Sequence, residues 1–257
     1  MRKSLVAGNW KMNGDKASIE TLMNGLLNGL NSGENSVSES IDILVCPPTV
    51  YLSQVADEIA GSGIQSGVQN ISQFESGAYT GELSLAMLKD FDCRYAIVGH
   101  SERRSLFGET DTQIADKCAA ALDAGVTPIL CVGESLAQRD AGEALAIVTA
   151  QVQVVIERCG IAAFNKAVIA YEPVWAIGAG RTASPEQAQE VHGAIRAVLH
   201  DADAEVAAAT RILYGGSVGA ANAAELFAQR DIDGGLVGGA SLKVDDFLAI
   251  CSAAAAA

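Results

Sequence analysis

The sequence predicts an α/β fold, a closed (β/α)8 barrel of eight parallel strands with helices outside. Three observations lead there. Short apolar runs recur along the whole chain, and each is followed by an Ala-, Leu- or Gln-rich stretch of helical character. No long linker and no change of composition divides the 257 residues, so residues 1–257 are expected to form one domain. Eight β-then-α units in about 250 residues match the length of such a barrel. An open, doubly wound sheet is the rival. It would carry a Gly-rich fingerprint after its first strand, and Gly8-Asn9-Trp10-Lys11-Met12-Asn13-Gly14 lacks that spacing.

In chain order, Leu5–Gly8 reads as the first strand and Ile19–Leu30 as the helical stretch after it. Ile41–Cys46 with Val50–Ala60, and Ile64–Val68 with Ser84–Phe91, are the next two units. Tyr95–Val98 pairs with Thr110–Ala124. There Thr110-Asp111-Thr112-Gln113 matches a capping box, and Gly125 is placed to stop the helix. Thr127–Val132 precedes Ala144–Arg158, and Ala167–Tyr171 precedes Gln187–Leu199. Ser184 suits the N-cap of that helix, Pro185 its first position, and Gln187 the return bond of a capping box. Arg211–Tyr214 and Gly235–Val237 complete the set, and Ala253–Ala257 reads as a fraying helix end or tail.

Composition removes several function classes. The 17 basic and 31 acidic side chains leave a net charge of −14, and no basic cluster is longer than Arg103-Arg104, so nucleic acid is not an expected partner. Six scattered cysteines form no CxxC pair, and three histidines lack ligand-like spacing, so reduced thiols and no metal are expected. The apolar run near the N-terminus is too short for a signal peptide, and nothing approaches a transmembrane length. A soluble protein of the cytoplasm, without membrane contact, is the expectation.

In a barrel of this kind the reactive groups gather at the C-terminal ends of the strands. Those ends carry Asn9 and Lys11, then His100 and Glu102, then Glu172, then Gly215-Gly216-Ser217, then Gly238-Gly239. Glu172 closes a buried run and is followed by Pro173, which stiffens the exit. The stretch from Val174 to Thr182, with Gly178 and Gly180, reads as a mobile lid. Two Gly-rich strand ends late in the chain suit an anion cradle of backbone N–H groups, with Gly178 and Ser217 contributing. A carboxylate base, an imidazole, a lysine and an anion cradle together suit proton transfer beside a carbonyl in a small phosphorylated substrate. A lone lysine or histidine is more often structural; it is the company at the strand tips that argues otherwise. Ser101-Glu102-Arg103-Arg104 can open a short helix whose positive end faces His100.

Seven segments then fall in one order: Gly8-Asn9-Trp10-Lys11-Met12-Asn13, Gly77-Ala78-Tyr79-Thr80-Gly81-Glu82, Gly99-His100-Ser101-Glu102-Arg103-Arg104, Cys131-Val132-Gly133-Glu134, Ala170 through Gly178, Tyr214-Gly215-Gly216-Ser217-Val218, and Leu236 through Leu242. With them the chain closely resembles the triosephosphate isomerase family over essentially its whole length. The resemblance implies a cofactor-free, glycolytic and gluconeogenic interconversion of glyceraldehyde 3-phosphate and dihydroxyacetone phosphate. It implies Glu172 as the base, His100 as the electrophile kept neutral by a helix N-terminus, and Lys11 as the cation on phosphate and substrate oxygen. Asn9, Gly178, Ser217, Gly238 and Gly239 are then expected around the substrate, and Glu102 as the partner of Lys11. It also implies a homodimer in which the Gln69–Glu82 segment enters a second subunit near Asn9 and Lys11. The departures are Ala179 and Arg181 in the lid and Tyr79 where the family more often has Phe. Two other readings are a silent relative acting as a scaffold and another phosphosugar-binding barrel enzyme. A Schiff-base aldolase needs a desolvated lysine inside the barrel, and Lys166 lies before the sixth strand, at the wrong end.

Overall fold

A computed structural model describes residues 2–31, 37–177 and 182–257. Eight parallel strands close on themselves in sequence order. They are β1 (Leu5–Asn9), β2 (Asp42–Cys46), β3 (Ile64–Val68), β4 (Tyr95–Val98), β5 (Thr127–Val132), β6 (Val168–Tyr171), β7 (Arg211–Tyr214) and β8 (Gly234–Val237). Leu5 opposite Gly234 begins the β1–β8 ladder that shuts the ring. Each strand differs from its sequence reading by at most one residue at an end: β1 gains Asn9, β2 loses Ile41, β6 loses Ala167 and β8 gains Gly234.

Side-chain parity explains how this ring aims its residues. Leu5 and Ala7, Leu44 and Cys46, Tyr95 and Ile97, Ile129 and Cys131, Val168 and Ala170, with Leu213 and Leu236, form one apolar cluster that fills the barrel. Their alternate neighbours Val6, Ile43, Val45, Ile169 and Ile212 belong to the larger cluster between strands and helices. Strands buried on both faces give this two-sided pattern. Counting on by twos, the next inward position after Leu5 and Ala7 is Asn9, and after Val168 and Ala170 it is Glu172. The floor is polar. Asp42 takes Lys3 at 2.9 Å and Arg211 at 2.7 Å, and Arg211 also donates to the Tyr95 hydroxyl at 3.2 Å. These groups stand one inward step below the apolar layers.

The main outer helices are Lys16–Asn31, Leu52–Ile59, Asp111–Asp123, Ala144–Cys159, Pro185–Ala202 and Val244–Ala256. Both expected capping boxes form: Thr110 with Gln113, and Ser184 with Gln187 behind Pro185 at the first position. Ser84–Phe91 is not one helix but Leu85–Leu88 followed by a 3₁₀ turn at Lys89–Phe91, which ends where Asp92 turns left-handed (φ 47°). Leu136–Asp140, Ala204–Ala209 and Ala223–Phe227 are helices too short for periodicity to announce. The terminal alanines are no loose tail: the last helix runs to Ala256, and Ala254 is buried. Among the described residues no helix is long and apolar enough to cross a membrane.

Candidate active site

The polar strand ends meet at one mouth of the barrel. Val174–Ala176, read from sequence as the start of the lid, forms a 3₁₀ turn after β6. Gly178, Ala179, Gly180 and Arg181 lie outside the described residues, so the part assigned to Gly178 has no structural account here.

His100 follows β4 and caps the helix Ser101–Phe107. Its Nδ1 accepts the N–H of Glu102 at 3.2 Å, which puts the positive end of that helix against the ring. An accepting Nδ1 carries no proton, so the proton sits on Nε2, and Nε2 lies 2.9 Å from Oε1 of Glu172. Ser101, next in the helix, binds the same carboxylate. Its N–H donates to Oε2 at 2.9 Å and its hydroxyl to Oε1 at 3.2 Å. Glu172 is only 2% exposed, and its own N–H is fixed to the Val132 carbonyl at 2.7 Å.

Burial pulls the two pKa values toward neutral forms: down for His100, up for Glu172. Their mutual attraction outweighs this in both, and Ser101 adds to it at Glu172. His100 therefore lies above its ordinary value and Glu172 below the ordinary carboxylate range. The Glu102 amide opposes the upward shift of His100, because it occupies the nitrogen that a second proton would need. The amide fixes the ring as the neutral Nε2–H tautomer, and the upward pull lasts only while the carboxylate stays at 2.9 Å.

Lys11 stands after β1 with φ at +52°, a left-handed conformation that a lysine holds only when its surroundings fix it. The Asn9 side chain accepts the Lys11 N–H at 3.1 Å, and Gln69 donates to the Lys11 carbonyl at 2.8 Å. The ammonium reaches Glu102 at 2.5 Å. Gly238 lies under the lysine stem: a Cβ there would be 3.5 Å from Lys11 Cε.

Beside these groups is a cavity of about 280 Å³, lined by Asn9, Lys11, His100, Ser217, Gly238 and Gly239 among others. Among the described residues, no protein acceptor meets the amides of Ser217, Gly238 or Gly239. Free N–H groups facing a lysine make an anion site. The Ser217 hydroxyl is already engaged, donating to the Ala176 carbonyl at 2.7 Å.

The structure thus brings together Asn9, Lys11, His100, Glu102, Glu172, Ser217, Gly238 and Gly239. Sequence reasoning gave three residues no role in holding the site's reactive groups. Ser101 holds the carboxylate, but a serine after a histidine carries no signal of its own. Gln69 braces Lys11 from another loop. Glu134 is buried after β5, and its Oε1 accepts the Tyr171 hydroxyl at 3.0 Å, Trp175 Nε1 at 2.8 Å and Arg139 at 3.0 Å. Reading the end of β5 as the other ends were read would have found it. Its neighbour Gly133 is required by space, since a Cβ there would fall 1.9 Å from the Glu172 carbonyl oxygen. Among the described residues no group of three or more His, Cys, Asp or Glu side chains is gathered to hold a metal ion.

Comparison with known proteins gives one answer. The family model for triosephosphate isomerase matches residues 4–254. A triosephosphate isomerase of Thiobacillus denitrificans is 57% identical over 255 residues, covering 99% of this chain and all of that protein. Those of Pseudomonas entomophila and Colwellia psychrerythraea are 54% and 53% identical, each covering at least 98% of both chains.

Proposed function

Since the chain belongs to the triosephosphate isomerase family, we infer that it interconverts D-glyceraldehyde 3-phosphate and dihydroxyacetone phosphate. Glu172 takes a proton from the carbon beside the carbonyl. His100 donates its Nε2–H to the carbonyl oxygen, so that an enediol(ate) forms without a full unit of charge on oxygen. The proton then returns to the neighbouring carbon, while the imidazole recovers a proton from the hydroxyl on the first carbon, which becomes the new carbonyl. Lys11 and the Ser217, Gly238 and Gly239 amides hold the phosphate, and Glu102 with Asn9 aims the lysine. The observation that carries this reading is the 2.9 Å approach of the His100 Nε2 and the buried Glu172 carboxylate beside an amide-lined cavity. In that state the base accepts three hydrogen bonds, so substrate must draw Glu172 away from Ser101 before it can act. The test is interconversion of the two trioses by purified protein in chelator. A protein that binds both without converting them would be the silent scaffold. Lys166 lines a cavity at the opposite end of the barrel, with Thr127 and Val168, and the lysine at the site, Lys11, is ion-paired with Glu102, so neither is the desolvated amine that the Schiff-base alternative needs.

The same reading includes a homodimer through Gln69–Glu82. Its support is a set of large apolar side chains near that arm: Met12, Val50, Leu106 and Phe107 are between 68% and 95% exposed. A cavity of about 460 Å³ between Lys11, Gln69, Glu82 and Phe107 is of a size to receive the tip of another arm. A cytoplasmic setting belongs to the proposal as well, and six unpaired thiols, five of them buried, favour it.

A further inference from the structure

On the reading that Glu172 and His100 react with substrate, we propose that Arg104 is the positioning residue that fixes their separation, by clamping the end of β4 to the end of β5. The ladder between these strands ends at Val98 opposite Leu130. Gly99 then turns left-handed (φ 74°), out of the extended conformation that would continue the pairing. From that point the guanidinium takes over. Its Nε donates to the Gly99 carbonyl at 2.8 Å and its Nη2 to the Cys131 carbonyl at 3.1 Å. The remaining arm, Nη1, is held by Asp111 at the head of the helix Asp111–Asp123.

Both carbonyls adjoin the site. Gly99 immediately precedes His100. Cys131 immediately precedes Val132, whose carbonyl holds the Glu172 N–H at 2.7 Å. Arg104 also rides on the helix whose first residue, Ser101, and N-cap, His100, bind the Glu172 carboxylate. One planar group therefore sets three things at once: the start of that helix, the exit of β4 and the support under Glu172. The guanidinium is mostly buried, with 18% of the side chain exposed, so water competes little for its donors. Lysine, a point donor on a flexible stem, cannot span three diverging acceptors.

The test compares Arg104→Lys with Asp111→Asn in the intact protein. Three quantities are measured: kcat, KM and the ¹⁵N imidazole spectrum, which holds only three histidines. Slack of about 1 Å between base and electrophile costs on the order of 10²-fold. Arg104→Lys is therefore expected to lower kcat by about ten- to a hundredfold with KM within about twofold. The His100 resonances should move while those of His192 and His200 stay. Asp111→Asn keeps both carbonyl bonds and is expected to keep most of kcat, even with a lower melting temperature. A folded Arg104→Lys with wild-type kcat and unmoved His100 resonances overturns the proposal, as does a loss of kcat that tracks melting temperature equally in both variants. Arg104→Gln replaces a lysine variant that does not fold, and failure of both to fold makes the residue merely structural. Wild-type protein without isomerase activity would sink the functional reading instead, and the His100 resonances would still decide the clamp.

Discussion

Ser101 occupies both oxygens of the Glu172 carboxylate, one through its backbone N–H and the other through its hydroxyl. A base that accepts so many hydrogen bonds is held in its charged form and made weaker by the same contacts. Burial raises the Glu172 pKa, and His100 and then Ser101 more than offset it, leaving the group below its ordinary range. Ser101→Ala removes one of these contacts, so the pKa rises toward the ordinary value. The base must be ionised to act. The acid limb of kcat/KM is therefore expected to move to higher pH, with turnover at neutral pH changed by no more than a few-fold. A pH–rate profile checks this, and an unmoved acid limb would contradict it.

Glu172→Gln keeps the shape and, through its one oxygen, can keep the bond from the Ser101 N–H, but it cannot accept a proton. It is expected to lose about 10²- to 10⁴-fold in kcat, the range a positioned general base supplies, while the far-ultraviolet circular dichroism stays unchanged. Glu172→Asp draws the carboxylate back by about 1 Å and should also be slow, by roughly 10²-fold. Turnover close to wild type in the glutamine variant would remove Glu172 from the mechanism.

His192 is fully buried against Tyr171 and Tyr214, with Nδ1 3.1 Å from the Asp231 carbonyl. Burial, with a lesser push from Arg196, lowers its pKa to about 4 against the Asp231 carbonyl's pull upward. The folded protein thus binds this proton less readily than the unfolded chain. Stability from the neutral ring is complete above the unfolded value of 6.5 and is lost as pH falls from there through about 4. Over that window the loss amounts to roughly 3 kcal/mol. His192→Gln does not titrate, so its unfolding free energy should fall less steeply between pH 7 and pH 4. Urea unfolding of both proteins at fixed concentration gives the comparison, and parallel curves would be the wrong result for this account.

Deletion of Ser76–Thr80 tests the arm. Phe74 and Tyr79 stack at 4.1 Å with ring planes 3° apart, and the arm's base is closed by the Ser72 N–H on the Leu83 carbonyl at 2.8 Å. Such bracing suits the proposed insertion into a second subunit. Its removal should give a monomer by light scattering with kcat at least about tenfold lower, since a misplaced lysine or imidazole loses orientation. A fully active monomer of the unaltered chain would refute the dimer.

The barrel was legible because strand and helix signals alternate along the chain, and Asn9 and Glu172 were legible because they close two of the strand runs. The inward parity that aims them into the mouth shows only in the closed ring. The capping boxes at Thr110 and Ser184 were legible because a cap is a local contract among four residues. Ser101, Gln69 and Arg104 were not, since each acts on a partner brought near only by closure of the ring: Ser101 on Glu172, Gln69 on Lys11, Arg104 on Cys131. The short helices Ala204–Ala209 and Ala223–Phe227 hold too few turns for an apolar stripe, although Asp203 caps the first through the N–H groups of Glu205 and Val206.

The polar floor of Lys3, Asp42, Arg211 and Tyr95 has a consequence for proton traffic. Above it the interior is apolar: Leu5, Ala7, Leu44 and Ile97 have no solvent exposure. On the reading that Glu172 lifts a proton from carbon, these apolar layers offer that proton no polar carrier on the way down. Exchange with solvent is then expected at the mouth by which substrate enters, and the isotopic label the product retains should report how internal return competes with exchange there.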